Sequence, residues 1–168
     1  MKFSNIHFLI MQLKKIHNTI FYPCCGRDLN FPINLFGNEN IDYIFCDIKK
    51  YNNWESVKKL DVSLRFLQMD AWQAVDKLTE INKLFYRRDG MSEGGSGIEV
   101  LGNEFLKILL TRFSPEGGQI ITDGSNAWGD QLEKLKYGLV SHSGFNISLS
   151  DSQKYARNGL ITFNVKKQ

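Results

Sequence analysis

No GxGxxG turn, no GxxxxGKS or GxxxxGKT loop and no CxxC pair occurs among the 168 residues of this chain. The first absence argues against a nucleotide-cofactor oxidoreductase, whose first strand–helix turn uses several glycines to let the backbone meet a pyrophosphate. The second removes a P-loop. Ser96, within Glu93–Gly97, does not complete a GxSxG elbow, because Ile98 stands where the second glycine belongs. Three cysteines are an odd number, and Cys24 and Cys25 are adjacent, a poor arrangement for one metal or a relaxed disulfide. A reducing, cytoplasmic setting fits them. The phosphatase-like CxxxxxR spacing fails too, since Asn30 and Phe31 occupy the sixth positions onward.

Long apolar runs are also missing, so no segment is expected to span a membrane. The opening MKFSNIHFLIMQLKKIH has a faint signal-peptide outline, but Asn5, His7 and Gln12 interrupt it and no small-residue cleavage site follows. Repeats, low-complexity tracts and linkers are absent. One domain over residues 1–168 is expected, with an N-terminal helix over 1–18 whose Ile6, Leu9, Ile10 and Leu13 share a face and pack on the core. Charge is mild: a net +3 with lysine pairs scattered along the chain argues for solvated surface lysines and against a nucleic-acid partner.

What is present is core material. Twelve Phe, six Tyr and three Trp in a chain of this length can fill one ordinary globular domain. A short apolar strand over Thr19–Tyr22 halts at Pro23, and a helix follows from about Asn30, its cap, to Phe36. The run IDYIFCDI (Ile41–Ile48) reads as a second strand ending on Asp47, with a polar helix near Trp54–Leu60. LRFLQMD (Leu64–Asp70) is a third strand ending on an acid, and Trp72, Val75 and Leu78 mark a short helix after it. A fourth strand covers Ile81–Gly90 and enters the loop MSEGGSG. Leu101, Phe105, Ile108 and Leu109 give the clearest helix, stopped by Ser114-Pro115. GGQIITDG is a fifth strand, a helix near Asp130–Tyr137 ends at Gly138, and GFNISLSDSQ and GLITFNVKK form a last strand pair with no helix between them.

Five strands alternating with helices imply an α/β three-layer sandwich, a mostly parallel sheet covered on both faces. The terminal pair adds antiparallel strands at one edge, giving seven strands. This order, with acids ending the second and third strands, resembles the class I S-adenosylmethionine-dependent methyltransferases over nearly the whole chain after residue 18. The resemblance implies a seven-stranded sheet whose terminal strand is antiparallel, with S-adenosylmethionine as the small-molecule cofactor.

Residue by residue, the resemblance sets YPCCGRD (Tyr22, Pro23, Cys24, Gly26 and Asp28 within it) against the family's glycine-rich turn, with Gly26 as the central glycine. Asp47 with Ile48 matches the acid that binds ribose hydroxyls; Asp70 matches the acid near the adenine amino group, with Ala71 and Trp72 beside the ring. Tyr86–Gly97 matches the loop where substrate meets the sulfonium, and Arg87, Arg88 and Asp89 there are placed to grip an acidic acceptor. Cys24 and Asp28 replace the two outer glycines.

Each residue also has a plain structural reading. Asp47 and Asp70 serve equally as turn residues or helix caps. Asp28 either pairs with the cofactor's ammonium, with Arg27 on its carboxylate, or caps the next helix. Arg87, Arg88 and Asp89 suit a surface salt-bridge cluster, and Glu93–Gly97 either an anion-cradling turn or a mobile lid. Cys24 and Cys25 are either thiols activated by a helix end, with His7, His17 or His142 brought near by the fold, or small buried residues. Asp89, Glu93 and Asp123 are the candidate bases; Asn126 and Trp128, in TDGSNAW, could also line the cleft. No Asn-Pro-Pro-Tyr segment follows the fourth strand, which weighs against the amino-methylating nucleic-acid enzymes of the family. Two functions follow: a small methyltransferase with an unspecified acceptor, or a degenerate module that keeps the sheet and has lost turnover.

Overall fold

Ile20, Phe21 and Tyr22 put no polar group other than the tyrosine hydroxyl on either face of their strand, and all three are buried. They belong to β1 (Asn18–Pro23), the strand around which the sheet is organised. The computed structural model describes residues 18–37, 39–87, 98–125, 127 and 129–168. Residues 1–17 of the helix expected over 1–18, with His7 and His17, lie outside the described residues, as do Arg88, Asp89, Glu93–Gly97, Asn126 and Trp128, while Asn18 opens β1.

From β1 the chain passes through α1 (Asn30–Phe36) to β2 (Ile41–Asp47), α2 (Trp54–Val57), β3 (Ser63–Gln68) and α3 (Ala71–Val75). It then forms β4 (Lys83–Tyr86), α4 (Asn103–Leu109), β5 (Gly118–Thr122), α5 (Gln131–Lys136), β6 (Val140–His142), β7 (Phe145–Leu149) and β8 (Ile161–Lys167). The sheet order is β3-β2-β1-β4-β5-β8-β7-β6. The first five strands in that row pair in parallel. β8 runs antiparallel between β5 and β7, and β6 pairs antiparallel with β7.

Moving from β1 to β2 and β3 takes the chain one way along the sheet; the return to β4 and β5 takes it the other. Right-handed crossovers in opposite directions put helices on opposite faces, which is the three-layer α/β sandwich. The central strands are buried on both sides, with Phe45, Leu84, Phe85, Ile120, Ile121 and Phe163 all at 0% exposure. The β3 edge alternates instead, with Arg65 turned to solvent, and a charged edge discourages further pairing.

Several expectations need correcting. The sheet has eight strands rather than seven, because Val140–His142 turns back on Phe145 through Ser143 and Gly144, both at positive φ. Two such residues make the tight turn whose twist suits a hairpin, so the Ser-Gly pair carried the signal. The terminal strand is antiparallel, as expected, but sits inside the sheet rather than at its rim. Asn30 is the first residue of α1, not its cap; Leu29 holds that position without a side-chain bond. The helix read from Leu101, Phe105, Ile108 and Leu109 starts at Asn103, leaving Leu101 outside it, because Gly102 is extended (ψ 153°). Ile81 makes only an isolated bridge to Phe113, so β4 is shorter than expected.

Candidate functional site

In an open parallel sheet a ligand has room beyond the carboxyl ends of the strands, where the strand order reverses. Here the reversal falls between β1 and β4. The first turn leaves β1 through Cys24, whose φ is +53°, and Gly26, whose φ is +54°. Cys24 therefore keeps the left-handed backbone a glycine would adopt freely, at a steric cost of about 1–2 kcal/mol. The turn is tied to β2 twice: Cys25 N donates to the Cys46 carbonyl (3.0 Å), and Gly26 N donates to Asp47 Oδ2 (2.9 Å).

Asp47 also accepts from Lys49 N through Oδ1 (3.0 Å), so it shapes the turn after β2. Asp70 caps α3, accepting from Trp72 N at 2.8 Å. Both plain readings of these acids are thus realised. They leave the carboxylates with spare acceptor capacity, because each ionised group offers about four lone-pair sites.

The two acids border one hollow of about 80 Å³, lined also by Cys24, Cys46, Met69 and Ala71, with Ile48 and Ile98 at its walls. Five of the residues matched to the cofactor site therefore converge: Cys24, Asp47, Ile48, Asp70 and Ala71. Ile48 is 71% exposed at the mouth, an apolar group with nothing of its own chain to cover it fully. Cys46, Met69 and Ile98 were missed by sequence reasoning. Their positions beside Asp47 and Asp70 could have pointed to the first two; no spacing or motif at Ile98 gave a signal.

Trp72 lies elsewhere. Its ring stands edge-on to Phe105 (5.1 Å between centroids) and lines a separate cleft of about 530 Å³ with Gly102, Asn103 and Gln131. Pro23, at the end of β1, and Gly26, in the turn, are both buried.

On the β1–β4 side the arrangement is different. Arg87, directly after β4, forks onto Asp28: Nε donates to Oδ2 and Nη2 to Oδ1 (2.8 Å). The Tyr22 hydroxyl lies 2.9 Å from Asp28 Oδ2 and 3.0 Å from the Arg87 carbonyl, able to donate to either. Asp28 is 6% exposed, and the Arg87 guanidinium lies 3.5 Å from the centre of the Phe31 ring. Tyr86 is buried beside them, edge-on to Tyr22. Burial, reinforced by the Asp28 carboxylate, holds the Tyr22 hydroxyl well above its ordinary pKa of 10.0, so it stays a donor.

Asp28 therefore does not cap α1. Its carboxylate meets Arg87 from the end of β4, a pairing the sequence reading did not consider. Arg27 is exposed and its guanidinium lies over Tyr51 (4.9 Å), away from the hollow. Asp123 bonds Ser125 through Oδ1 and shapes its own turn.

Cys25 and Cys46 are not activated. Burial, helped by Asp47, raises the Cys25 thiol well above 9.0, and burial with Cys24 beside it pushes Cys46 up to about 12. Both are neutral thiols at physiological pH, the opposite of helix-end activation. No cluster of three metal-ligating side chains occurs among the described residues. No helix among them is long and apolar enough to cross a membrane.

The fold is similar to that of several solved structures, methyltransferases among them. SMU.1697c from Streptococcus mutans, in complex with SAH, superposes with a TM-score of 0.58 at 12% identity, covering 100% of both chains. The fibrillarin/Nop5p complex gives 0.57 at 11% identity, with 98% of this chain and 81% of that one covered. The plantazolicin methyltransferase BpumL, in complex with a monoazolic desmethylPZN analog and SAH, gives 0.54 at 11%, covering 96% of this chain and 80% of that one. No family model and no curated protein matches the sequence. At these identities the likeness is one of fold: the chain has the class I methyltransferase fold.

Proposed function

We propose that this protein binds S-adenosylmethionine with its adenosine over the Asp47–Asp70 hollow and transfers the methyl group to an acceptor. The observation that carries the reading is the convergence of two carboxylates, Asp47 ending β2 and Asp70 capping α3 just after β3, on one apolar-walled hollow beside a left-handed turn. The donor set fits a nucleoside: Asp47 can accept from a vicinal diol, Asp70 from an exocyclic amine, and Ile48, Met69, Ala71 and Ile98 offer apolar contact to a ring. Bound there, the cofactor would supply an electrophilic methyl group on a sulfonium. The chain's own task is then to hold and orient the two reactants. Residues 1–168 would act as one unit, and three cysteines without a disulfide suit the cytoplasm.

A second reading has support of its own. Cys24 adds a side chain to the hollow where the resembling family has glycine, and Arg87 is committed to Asp28 rather than to an acceptor. A module that binds the nucleoside without turning it over fits those two facts. The two readings part on whether labelled S-adenosylmethionine is ever converted.

Both are tested first by thermal unfolding with S-adenosylhomocysteine. Saturation about 100-fold above Kd should add roughly 2.7 kcal/mol, or about 5–10 °C in Tm for a chain this size. That shift should vanish in Asp47→Ala. An unchanged wild-type Tm at millimolar ligand would sink the proposal.

A further inference from the structure

Resting on that adenosine reading, we infer that the site recognises the nucleoside and not an amino-acid tail: its ligand class is 5′-substituted adenosines, with the β1–β4 end already filled by an internal ion pair. β3, β2, β1 and β4 are successive neighbours in the sheet, about 4.8 Å apart. A base near Asp70 and a ribose at Asp47 therefore send the 5′ substituent toward the ends of β1 and β4. What stands there is Asp28 with Arg87, a carboxylate and a guanidinium joined by two bonds and steadied by Tyr22.

The pair is itself a zwitterion, and it is complete. Asp28 takes both forks of Arg87 with the tyrosine hydroxyl in reach, and Phe31 covers one face of the guanidinium. An incoming ammonium and carboxylate would have to shed water and break this pair, whose carboxylate is buried and whose guanidinium is partly exposed, in order to replace it, an exchange with little net gain. Among the described residues no further charged pair then waits there for the tail of an S-adenosyl amino acid, and the adenosine supplies the affinity.

Calorimetric titration with 5′-methylthioadenosine and S-adenosylhomocysteine tests this, since both carry the thioether and only the second carries the zwitterion. The two Kd values should agree within about threefold, and tenfold would correspond to about 1.4 kcal/mol. The double variant Asp28→Asn/Arg87→Met, which leaves no charge unpaired, should leave the methylthioadenosine Kd within about the same factor. S-adenosylhomocysteine binding the wild type more than about tenfold tighter, with the advantage lost in the double variant, would mean that the pair opens to grip the tail and would overturn the inference alone. Failure of both ligands to bind the wild type would overturn it together with the adenosine reading.

Discussion

The two sides of the first turn carry the same kind of residue put to opposite uses. Among the described residues Asp47 and Asp70 accept from backbone N–H groups, Asp47 from Gly26 across the sheet and from Lys49, Asp70 from Trp72, and both border a hollow. Asp28 is buried and neutralised by a guanidinium from the end of β4. A carboxylate with spare lone pairs beside an apolar hollow can receive a ligand, whereas one held by a forked arginine mainly joins two strands. The lesson is that an acid's position at a strand end does not say whether it binds or builds. What crosses the sheet to meet it decides.

Alkaline titration should separate the two sides most widely. Folded Cys46, beside the hollow, has a pKa of about 12 against 9.0 when unfolded. The unfolded chain therefore loses its proton first, and this share of stability is complete below pH 9 and lost as pH rises toward 12, on the order of 4 kcal/mol. Tyr22, on the ion-pair side, is also raised, from 10.0, so its share is lost only above about pH 10. Urea unfolding across this range should show Cys46→Ala flattening the loss from pH 9, and Tyr22→Phe flattening it only from about pH 10. Coincident onsets would break the distinction.

Removing one member of the ion pair comes next. Arg87→Ala strands a buried carboxylate and should cost about 3 kcal/mol in denaturant unfolding. Adding Asp28→Asn should recover part of that loss. A cost below about 1 kcal/mol would mark the pair as an ordinary surface bridge.

The smallest effect belongs to the turn itself. Cys24→Gly relieves a side chain at φ +53° and should stabilise the protein by up to about 1 kcal/mol, less the entropy glycine loses on folding. A rise of roughly 2 °C in Tm would check it. A fall would show that the thiol's packing in the hollow outweighs the backbone strain.

Much of this architecture was legible in the chain. Apolar runs of strand length bounded by turn residues placed every parallel strand to within a few residues, and α1 was read from Asn30 to Phe36 as found. Strand ends placed Asp47 and Asp70, and the alternation of elements gave the α/β class. These features are local: they depend on side-chain period and on the few residues that can end a strand or cap a helix. The short β6 was missed because three residues, Val-Ser-His, carry no period, although the Ser143–Gly144 turn beside them did carry a signal.

What the tertiary structure alone decided is the fate of Asp28. Arg87 lies 59 residues further along the chain, with no spacing or motif to link the two. They meet because the chain reverses direction along the sheet after β3 and lays β4 beside β1. A local pattern can set where a strand ends, but only the order of strands in the sheet sets which side chain arrives at that end from elsewhere.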